Sequence, residues 1–174
     1  MTRISRMLSK TLRHDPGRLG ITLDESGWVE VDTLLAAFAR KGMTIDRATL
    51  DHVVATNNKQ RFILVDGWIR ANQGHSIPVD LGLDPVEPPE LLFHGTGESS
   101  VPAILAEGLR RGGRHHVHLS ADTATARQVG GRRGRPVVLT VLAGQLAATG
   151  VVFYRSANGV WLVDAVPPEY LREP

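Results

Sequence analysis

Arginine and histidine supply most of the side chains in this sequence that suit chemistry. Arg13 and His14 are adjacent, Arg61 closes the triplet 59–61, and paired arginines lie between glycines in the segment 130–135. Guanidinium groups bind phosphate in a bidentate manner, and imidazole titrates near neutral pH. Each feature also has an ordinary structural explanation, such as a histidine complementing the dipole at a helix C-terminus. Together these residue types favour anion binding and group transfer.

Several common kinds of active site are excluded. The chain has no cysteine, so a thiolate zinc site and a cysteine nucleophile are absent. It also lacks G-x-G-x-x-G, a Walker-type phosphate loop and the G-x-S-x-G elbow. His116 and His118 alternate on a predicted strand, but no acidic residue or thiolate is near them in sequence, so no metal is expected.

The composition indicates a small protein with local rather than global charge. The chain has 174 residues and a formal charge of +2, and only three of its 20 basic residues are lysine. Residues 110–135 contain seven arginines and one acid, which is either a solvated basic face or a surface for a polyanion. No signal peptide or long apolar run is visible, so a cytoplasmic protein is expected.

The first 76 residues have the pattern of a three-helix module with a β-hairpin. Helices are predicted at 3–13, at 32–41 with Asp32 as cap and Gly42 as stop, and at 46–56. Strands 61–65 and 68–72 flank Asp66-Gly67, a strong hairpin signal. Pairing of these strands returns residues 73–76 towards Lys59–Arg61. The order predicts a winged-helix domain over 1–76.

After residue 76 the helical pattern gives way to a proline-rich stretch and then to short strands. Residues 77–90 contain repeated prolines and predict a stiff linker or covering strap. Residues 91–174 predict a compact α+β domain with a mostly antiparallel sheet. Its predicted elements are strands at 91–95, 116–119, 136–141, 151–155 and 160–165, and helices at 98–107 and 122–129. Phe93-His94-Gly95-Thr96 is interpreted as a strand-to-helix turn whose glycine lets a ligand approach the backbone.

Seven short strings in order carry a resemblance that covers nearly the whole chain. They are L-S-K-T-L-R-H-D-P at 8–16, N-K-Q-R-F at 58–62, R-A-N-Q-G-H-S at 70–76, F-H-G-T at 93–96, H-V-H-L-S at 116–120, G-G-R-R-G at 130–134 and N-G-V-W-L at 158–162. In these strings the chain resembles the NAD-dependent RNA 2′-phosphotransferases, also called tRNA 2′-phosphotransferases.

The resemblance implies an N-terminal winged-helix RNA-binding domain joined to a C-terminal ADP-ribosyltransferase-like NAD-binding domain. It implies transfer of an internal RNA 2′-phosphate to NAD⁺, as in tRNA processing and tRNA splicing. The reaction passes through an ADP-ribosylated RNA 2′-phosphate. Its products are RNA with a 2′-hydroxyl, ADP-ribose 1″,2″-cyclic phosphate and nicotinamide. NAD is therefore a co-substrate, and a monomer without metal is expected.

The resemblance also assigns site residues. The catalytic set is Arg13, His14, Arg61 and Arg132, with His14 either a base or a hydrogen-bond donor. The residues assigned to NAD are His94, Gly95, Thr96, His118, Leu119 and Ser120. Those assigned to RNA are Lys59, Gln60, Gln73, His75 and Arg133.

Two other functions remain open from the residues. One is an ADP-ribosyltransferase that stops after the first step and caps nucleic-acid phosphate ends. The other is a winged-helix regulator without catalysis, whose second domain only senses NAD. The fate of the RNA phosphate separates these functions.

Overall fold

The chain folds into two compact units that together form an α+β protein, as predicted. The computed structural model describes residues 3–174, apart from the side chain of Arg133. The two units are Met1–Gly82 and Leu83–Pro174, here called unit 1 and unit 2.

Unit 1 combines helices with a small antiparallel sheet. Its elements are α1 (Arg3–Arg13), a 3₁₀ helix (Pro16–Leu19), β1 (Val29–Glu30), α2 (Val31–Arg40), α3 (Arg47–Ala55), β2 (Phe62–Val65) and β3 (Trp68–Ala71). The sheet has the order β1-β3-β2. Its core is apolar side chains from all three helices and the sheet, among them Leu8, Leu12, Leu34, Phe38, Leu50, Phe62 and Ile69.

The helix boundaries of unit 1 follow from local sequence, with one correction. Asp46 caps α3 by accepting a hydrogen bond from the amide of Thr49, at 2.7 Å. The prediction that Asp32 caps α2 is wrong, because α2 begins one residue earlier and Asp32 lies within its first turn. Asp32 is therefore placed to complement the helix dipole instead.

The hairpin forms as the Asp-Gly pair predicts. Asp66 and Gly67 have φ values of 47° and 82°, the left-handed conformations that a two-residue type I′ turn requires. Phe62 pairs with Ala71 at the opposite end of the hairpin. The residues that precede β2 and follow β3 are therefore brought side by side.

The proline-rich stretch forms hydrogen bonds with unit 1 on one side of the division and with unit 2 on the other. The amide of Asp80 donates to the carbonyl of Glu25 within unit 1, at 2.8 Å. The amide of Val86 donates to the carbonyl of Phe153 within unit 2, at 2.9 Å. The division between the units falls after Gly82, inside the segment 77–90.

Unit 2 is built from short antiparallel strands and short helices. Its helices are α4 (Val101–Glu107), α5 (Thr123–Gly130) and α6 (Ala143–Ala148), with 3₁₀ segments at Glu98–Ser100, Gly131–Arg133 and Pro168–Tyr170. Its strands are β4 (Leu92–Gly97), β5 (Leu109–Arg110), β6 (Val117–Leu119), β7 (Pro136–Val141), β8 (Tyr154–Arg155), β9 (Trp161–Val163), β10 (Ala165–Val166) and β11 (Leu171–Arg172). The sheet orders are β11-β7-β4, β6-β9-β8 and β10-β5.

The predictions for unit 2 are right for the long elements and incomplete for the short ones. β7 has the predicted bounds, whereas the strands predicted at 151–155 and 160–165 shorten to β8 and β9. The helix predicted at 98–107 begins as a 3₁₀ segment. The two-residue strands β5 and β11 carry no periodicity and were not predicted, and the last residue of the strand predicted at 160–165 lies in β10. The six-residue helix α6 was missed for the same reason.

Gly95 lies inside a strand, which corrects the predicted strand-to-helix turn. β4 continues through Gly97, and Gly95 pairs with Val138 of β7. A β-carbon on Gly95 would overlap the carbonyl oxygen of Ala126 in α5, and one on Gly130 would lie 2.7 Å from the carbonyl oxygen of Thr96. Gly95 is therefore needed for the backbone of α5 to approach β4, and not for a ligand on that side.

Over residues 3–174, the structure contains no helix with the length and apolar character needed to cross a bilayer.

We predict that Gly95→Ala destabilises the protein. The added methyl group meets the backbone of α5, which cannot rotate away, so the free energy of unfolding should fall by about 3 kcal/mol. Urea unfolding measures this change. Gly113→Ala is the control, because a β-carbon there has no atom within 4 Å. Equal stabilities of the two variants would contradict the packing argument.

Candidate functional site

In unit 1, hydrogen bonds join the end of α1 to the segment that follows β3. The amide of Ser76 donates to the carbonyl of Arg13 at 2.8 Å, and Nδ1 of His14 lies 2.8 Å from the hydroxyl oxygen of Ser76. Arg13 is half-buried and His14 is exposed. The two residues therefore end α1 at a defined place next to residues 75–76, and the His14 ring is oriented through its Nδ1 atom.

Arg61 is oriented by a side chain that lies just after α3. Nη1 of Arg61 donates to Oδ1 of Asn57 at 3.0 Å. The same oxygen accepts from the amide of Lys59 at 3.3 Å, so it also shapes the loop between α3 and β2. Nδ2 of Asn57 in turn donates to the hydroxyl of Ser5 on α1, at 3.0 Å.

A buried asparagine holds the other side of this loop. Asn72 is 5% exposed, and its amide N–H donates to the carbonyl of Arg61 at 2.9 Å. Its side-chain Nδ2 donates to the carbonyl of Gln60. Gln60 has a φ of 40°, a left-handed conformation that is unfavourable for a residue with a β-carbon. The hydrogen bond from Asn72 helps to hold that conformation.

The residues assigned to RNA have different exposures. Gln60 is exposed, and Lys59 and Gln73 are half-buried. His75 is 3% exposed, so the prediction that its side chain contacts RNA gains no support from its position. The side chain of Arg133, also assigned to RNA, lies outside the described residues.

In unit 2, the two segments assigned to NAD lie next to each other. The backbones of Phe93 and Ser120 exchange two hydrogen bonds, at 2.9 and 2.8 Å. Nδ1 of His94 lies 3.2 Å from the carbonyl oxygen of His118, to which it donates. The structure therefore brings residues 94–96 beside 118–120, although 20 or more residues separate them in sequence.

The remaining predicted site residues of unit 2 differ in burial and in their contacts. Leu119 is 1% exposed and belongs to the core of unit 2, so its side chain does not reach the surface. Nδ1 of His118 lies 3.3 Å from Nη1 of Arg114. Arg132 is exposed in the 3₁₀ segment that follows α5, two residues beyond Gly130. The predicted glycine-flanked loop thus continues α5 as a helical turn.

Burial sets the charge state of His94. Desolvation lowers the pKa of His94 below its ordinary value of 6.5, and the hydrogen bond to the carbonyl of His118 opposes this only in part. The neutral ring is thus favoured at pH 7. A neutral imidazole whose Nδ1–H is already donated can accept at Nε2, which suits a hydroxyl or amide of a ligand.

His116, which directly precedes β6, contacts an acidic residue and an aromatic ring. Nε2 of His116 lies 3.9 Å from Oδ1 of Asp164, and its ring meets Tyr154 edge-on. Burial lowers the pKa of His116, and the charge of Asp164 opposes this. Within the described part of the chain, the histidine and carboxylate side chains form no group of three or more that is placed to hold a metal ion.

Sequence reasoning missed Asn57, Asn72 and Ser76. Asn57 follows the third predicted helix, Asn72 ends a predicted strand, and Ser76 belongs to the segment that the hairpin returns towards Lys59–Arg61, but the sequence assigned none of them a role. Their sequence signal is weak, because an amide or hydroxyl side chain has many local uses. Their partners lie up to 62 residues away, as for His14 and Ser76.

We predict that His94 titrates below its ordinary pKa of 6.5 and makes stability fall in acid. Its neutral form contributes fully above pH 6.5, and this contribution is lost as the pH falls below that value, because the unfolded chain is protonated first. Ring NMR signals report the midpoint. The loss of unfolding free energy between pH 7.5 and 5.5 should be smaller in His94→Asn. Equal losses in both proteins would contradict the desolvation argument.

The chain is similar to a family of RNA-modifying proteins along most of its length. The family model described as RNA 2′-phosphotransferase, Tpt1/KptA family, matches residues 1–165. A probable RNA 2′-phosphotransferase of Streptomyces griseus is 57% identical, with 97% of this chain and 94% of the relative covered. A protein of the same name in Trichormus variabilis is 57% identical, with 97% of this chain and 94% of the relative covered. One in Nostoc punctiforme is 52% identical, with 99% of this chain and 97% of the relative covered. The chain belongs to the RNA 2′-phosphotransferase family.

Proposed function

We propose that this protein transfers an internal RNA 2′-phosphate to NAD⁺ and leaves a 2′-hydroxyl on the RNA. The observation that carries the proposal is the set of hydrogen bonds in unit 1 that engages the backbone of Arg13 and the side chains of His14 and Arg61. These are three of the four residues that the resemblance assigns to catalysis. Removal of an RNA 2′-phosphate is the activity in the family's name.

The proposal includes the finer fold assignments. Three helices beside the antiparallel sheet β1-β3-β2 support a winged-helix RNA-binding domain in unit 1. Unit 2 is proposed to be ADP-ribosyltransferase-like. The proximity of residues 94–96 and 118–120 supports one ligand-binding surface there.

In the first step, an oxygen of the RNA 2′-phosphate forms a bond to the anomeric carbon of the nicotinamide ribose. The bond from that carbon to nicotinamide breaks, and nicotinamide leaves as a neutral molecule. The phosphate is already a competent nucleophile, so positioning and charge balance matter more than a base. Arg61 and Arg132 are proposed to hold the phosphate oxygens, with support from Arg13.

In the second step, the 2″-hydroxyl of the same ribose attacks the phosphorus, and the bond to the RNA 2′-oxygen breaks. The hydroxyl loses a proton and the RNA oxygen gains one, so the step is balanced. Negative charge grows on the phosphoryl oxygens, where fixed guanidinium groups stabilise it most. Nδ1 of His14 lies against Ser76, which leaves the ring oriented to contact a ribose hydroxyl or phosphate oxygen.

The residues of unit 2 fit a polar ligand such as NAD. His94, Thr96 and Ser120 offer side-chain groups, whereas Gly95 and Leu119 can contribute only backbone, because Leu119 is part of the core. The neutral His94 ring suits an uncharged hydroxyl or carboxamide. NAD supplies the electrophilic anomeric carbon and its leaving group.

The reaction of a 2′-phosphorylated oligonucleotide with NAD⁺ tests the function. Mass analysis should find equal amounts of nicotinamide, ADP-ribose 1″,2″-cyclic phosphate and RNA that carries a 2′-hydroxyl in place of the 2′-phosphate. The same oligonucleotide with a 2′-hydroxyl is the control. A persistent ADP-ribosyl adduct would support the capping transferase, and NAD binding without nicotinamide release would support the regulator.

We predict that Arg61→Ala and Arg132→Ala abolish most turnover while the protein stays folded. Loss of a charged phosphate contact should cost roughly 2–4 kcal/mol in the transition state, because a fixed donor to the developing negative charge is removed. Steady-state rates and circular dichroism measure the two effects. Arg47→Ala and Arg135→Ala are matched controls, since their side chains pair with Asp51 and Glu98 at the surface. Near-normal rates in a test variant would remove that residue from the catalytic set.

We also predict that RNA affinity falls steeply with salt. The net charge is only +2, so binding must rest on local contacts such as Lys59. For a single strand, each phosphate contact contributes about 0.7 to the slope of log affinity against log salt. Fluorescence anisotropy measures RNA affinity at several salt concentrations. The slope should become shallower by about 0.7 in Lys59→Ala. It should not change in Lys41→Ala, whose lysine is exposed at the end of α2. Affinity that is independent of salt would contradict the prediction.

A further inference from the structure

We propose that Asn57 is a positioning residue, whose neutral side-chain oxygen orients the Arg61 guanidinium and leaves its charge available to the RNA phosphate. The inference rests on the proposed function, because it gives Asn57 a part in the same reaction. Asn57 acts through Arg61 and needs no contact with substrate.

The first observation is that one oxygen serves both the guanidinium and the loop that carries it. Oδ1 of Asn57 accepts from Nη1 of Arg61 at 3.0 Å and from the amide of Lys59 at 3.3 Å. The amide of Arg61 lies 3.5 Å from the same atom. Oδ1 of Asn57 therefore contacts both the backbone and the guanidinium group of Arg61.

The second observation is that Asn57 is itself held in place. Its amide N–H donates to the carbonyl of Val54 at the end of α3, at 3.3 Å. Its Nδ2 donates to the hydroxyl of Ser5, a residue of α1 that is 4% exposed. Because both ends of the side-chain amide are engaged, a flip would place its nitrogen against the guanidinium and lose both contacts.

The chemistry of the acceptor matters as much as its position. An arginine side chain has many rotamers, and a phosphate is bound well only when the guanidinium plane faces it. A carboxylate would orient that plane too, but it would also form a charge-assisted pair with Arg61 and compete with the phosphate. An amide oxygen supplies direction without neutralising the charge.

The direct test is the steady-state kinetics of Asn57→Ala in the full-length protein. We expect kcat to fall about 10- to 100-fold, because a displaced guanidinium is costly in the transition state. KM should change by less than about threefold. Asn58→Ala is the matched control: it removes the neighbouring, exposed asparagine and should leave the rate and melting temperature unchanged.

A double-mutant cycle separates positioning from a merely structural effect. In an Arg61→Lys background, the rate is measured in single turnover with enzyme in excess, and adding Asn57→Ala should then reduce it by less than about twofold. Strong non-additivity supports action through Arg61. An equal loss in both backgrounds would overturn the proposal.

Asn57→Asp covers the case in which Asn57→Ala does not fold. The aspartate keeps an acceptor for the amide of Lys59, so the loop and the melting temperature should be largely retained. We expect kcat to fall about as far as in Asn57→Ala, because the carboxylate pairs with Arg61. Wild-type kcat in this variant would overturn the requirement for a neutral acceptor and with it the proposal.

Different results would contradict the proposed function and the positioning role of Asn57. If the wild-type protein releases no nicotinamide with 2′-phosphorylated RNA and NAD⁺, or if Arg61→Ala keeps its activity, the proposed function or the place of Arg61 in it fails. If Arg61 is essential but the effect of Asn57 is independent of it, only the present inference fails.

Discussion

A guanidinium group binds a phosphate well only when its long, flexible side chain is held in one orientation. In unit 1, hydrogen bonds from neutral side chains hold Arg61 in this way. Asn57 joins the side chain of Arg61 to α1 through Ser5, and Asn72 fixes the backbone of residues 60–61. Ser76 ties the end of α1 to the segment after β3. These contacts use neutral side chains and backbone groups, which fix the residues they bind and carry no negative charge of their own.

Close packing between backbones is the corresponding constraint in unit 2. Gly95 and Gly130 lack β-carbons where β4 and α5 meet, and this allows α5 and the turn with Arg132 to lie directly against β4. The same strand carries His94 and Thr96, and its other contacts bring residues 118–120 beside them. Gly95 therefore serves the packing of α5 on β4, the strand that carries His94 and Thr96.

The proposed function assigns the residues of the site to two ligands. Arg13, His14 and Arg61 of unit 1 and Arg132 of unit 2 are proposed to serve the RNA phosphate. The neutral, partly buried His94 and adjacent backbone groups of unit 2 are proposed to serve an uncharged part of NAD. This division agrees with the low net charge of the chain, since only local groups need to meet the phosphate. Three of the seven matching strings lie in unit 1 and four in unit 2, so neither unit alone carries the resemblance.

Local patterns were enough to predict the helices of unit 1, the Asp-Gly hairpin, the long strand β7 and membership of the family, because periodicity, turn chemistry and motif order are properties of neighbouring residues. They were not enough to predict the shortest strands, the continuation of β4 through Gly97 or the burial of His75. They also did not indicate that Asn57 reaches Ser5, 52 residues away, or that His14 meets Ser76. A side-chain amide or hydroxyl has no preferred partner in sequence, so only the tertiary structure decided which groups it joins.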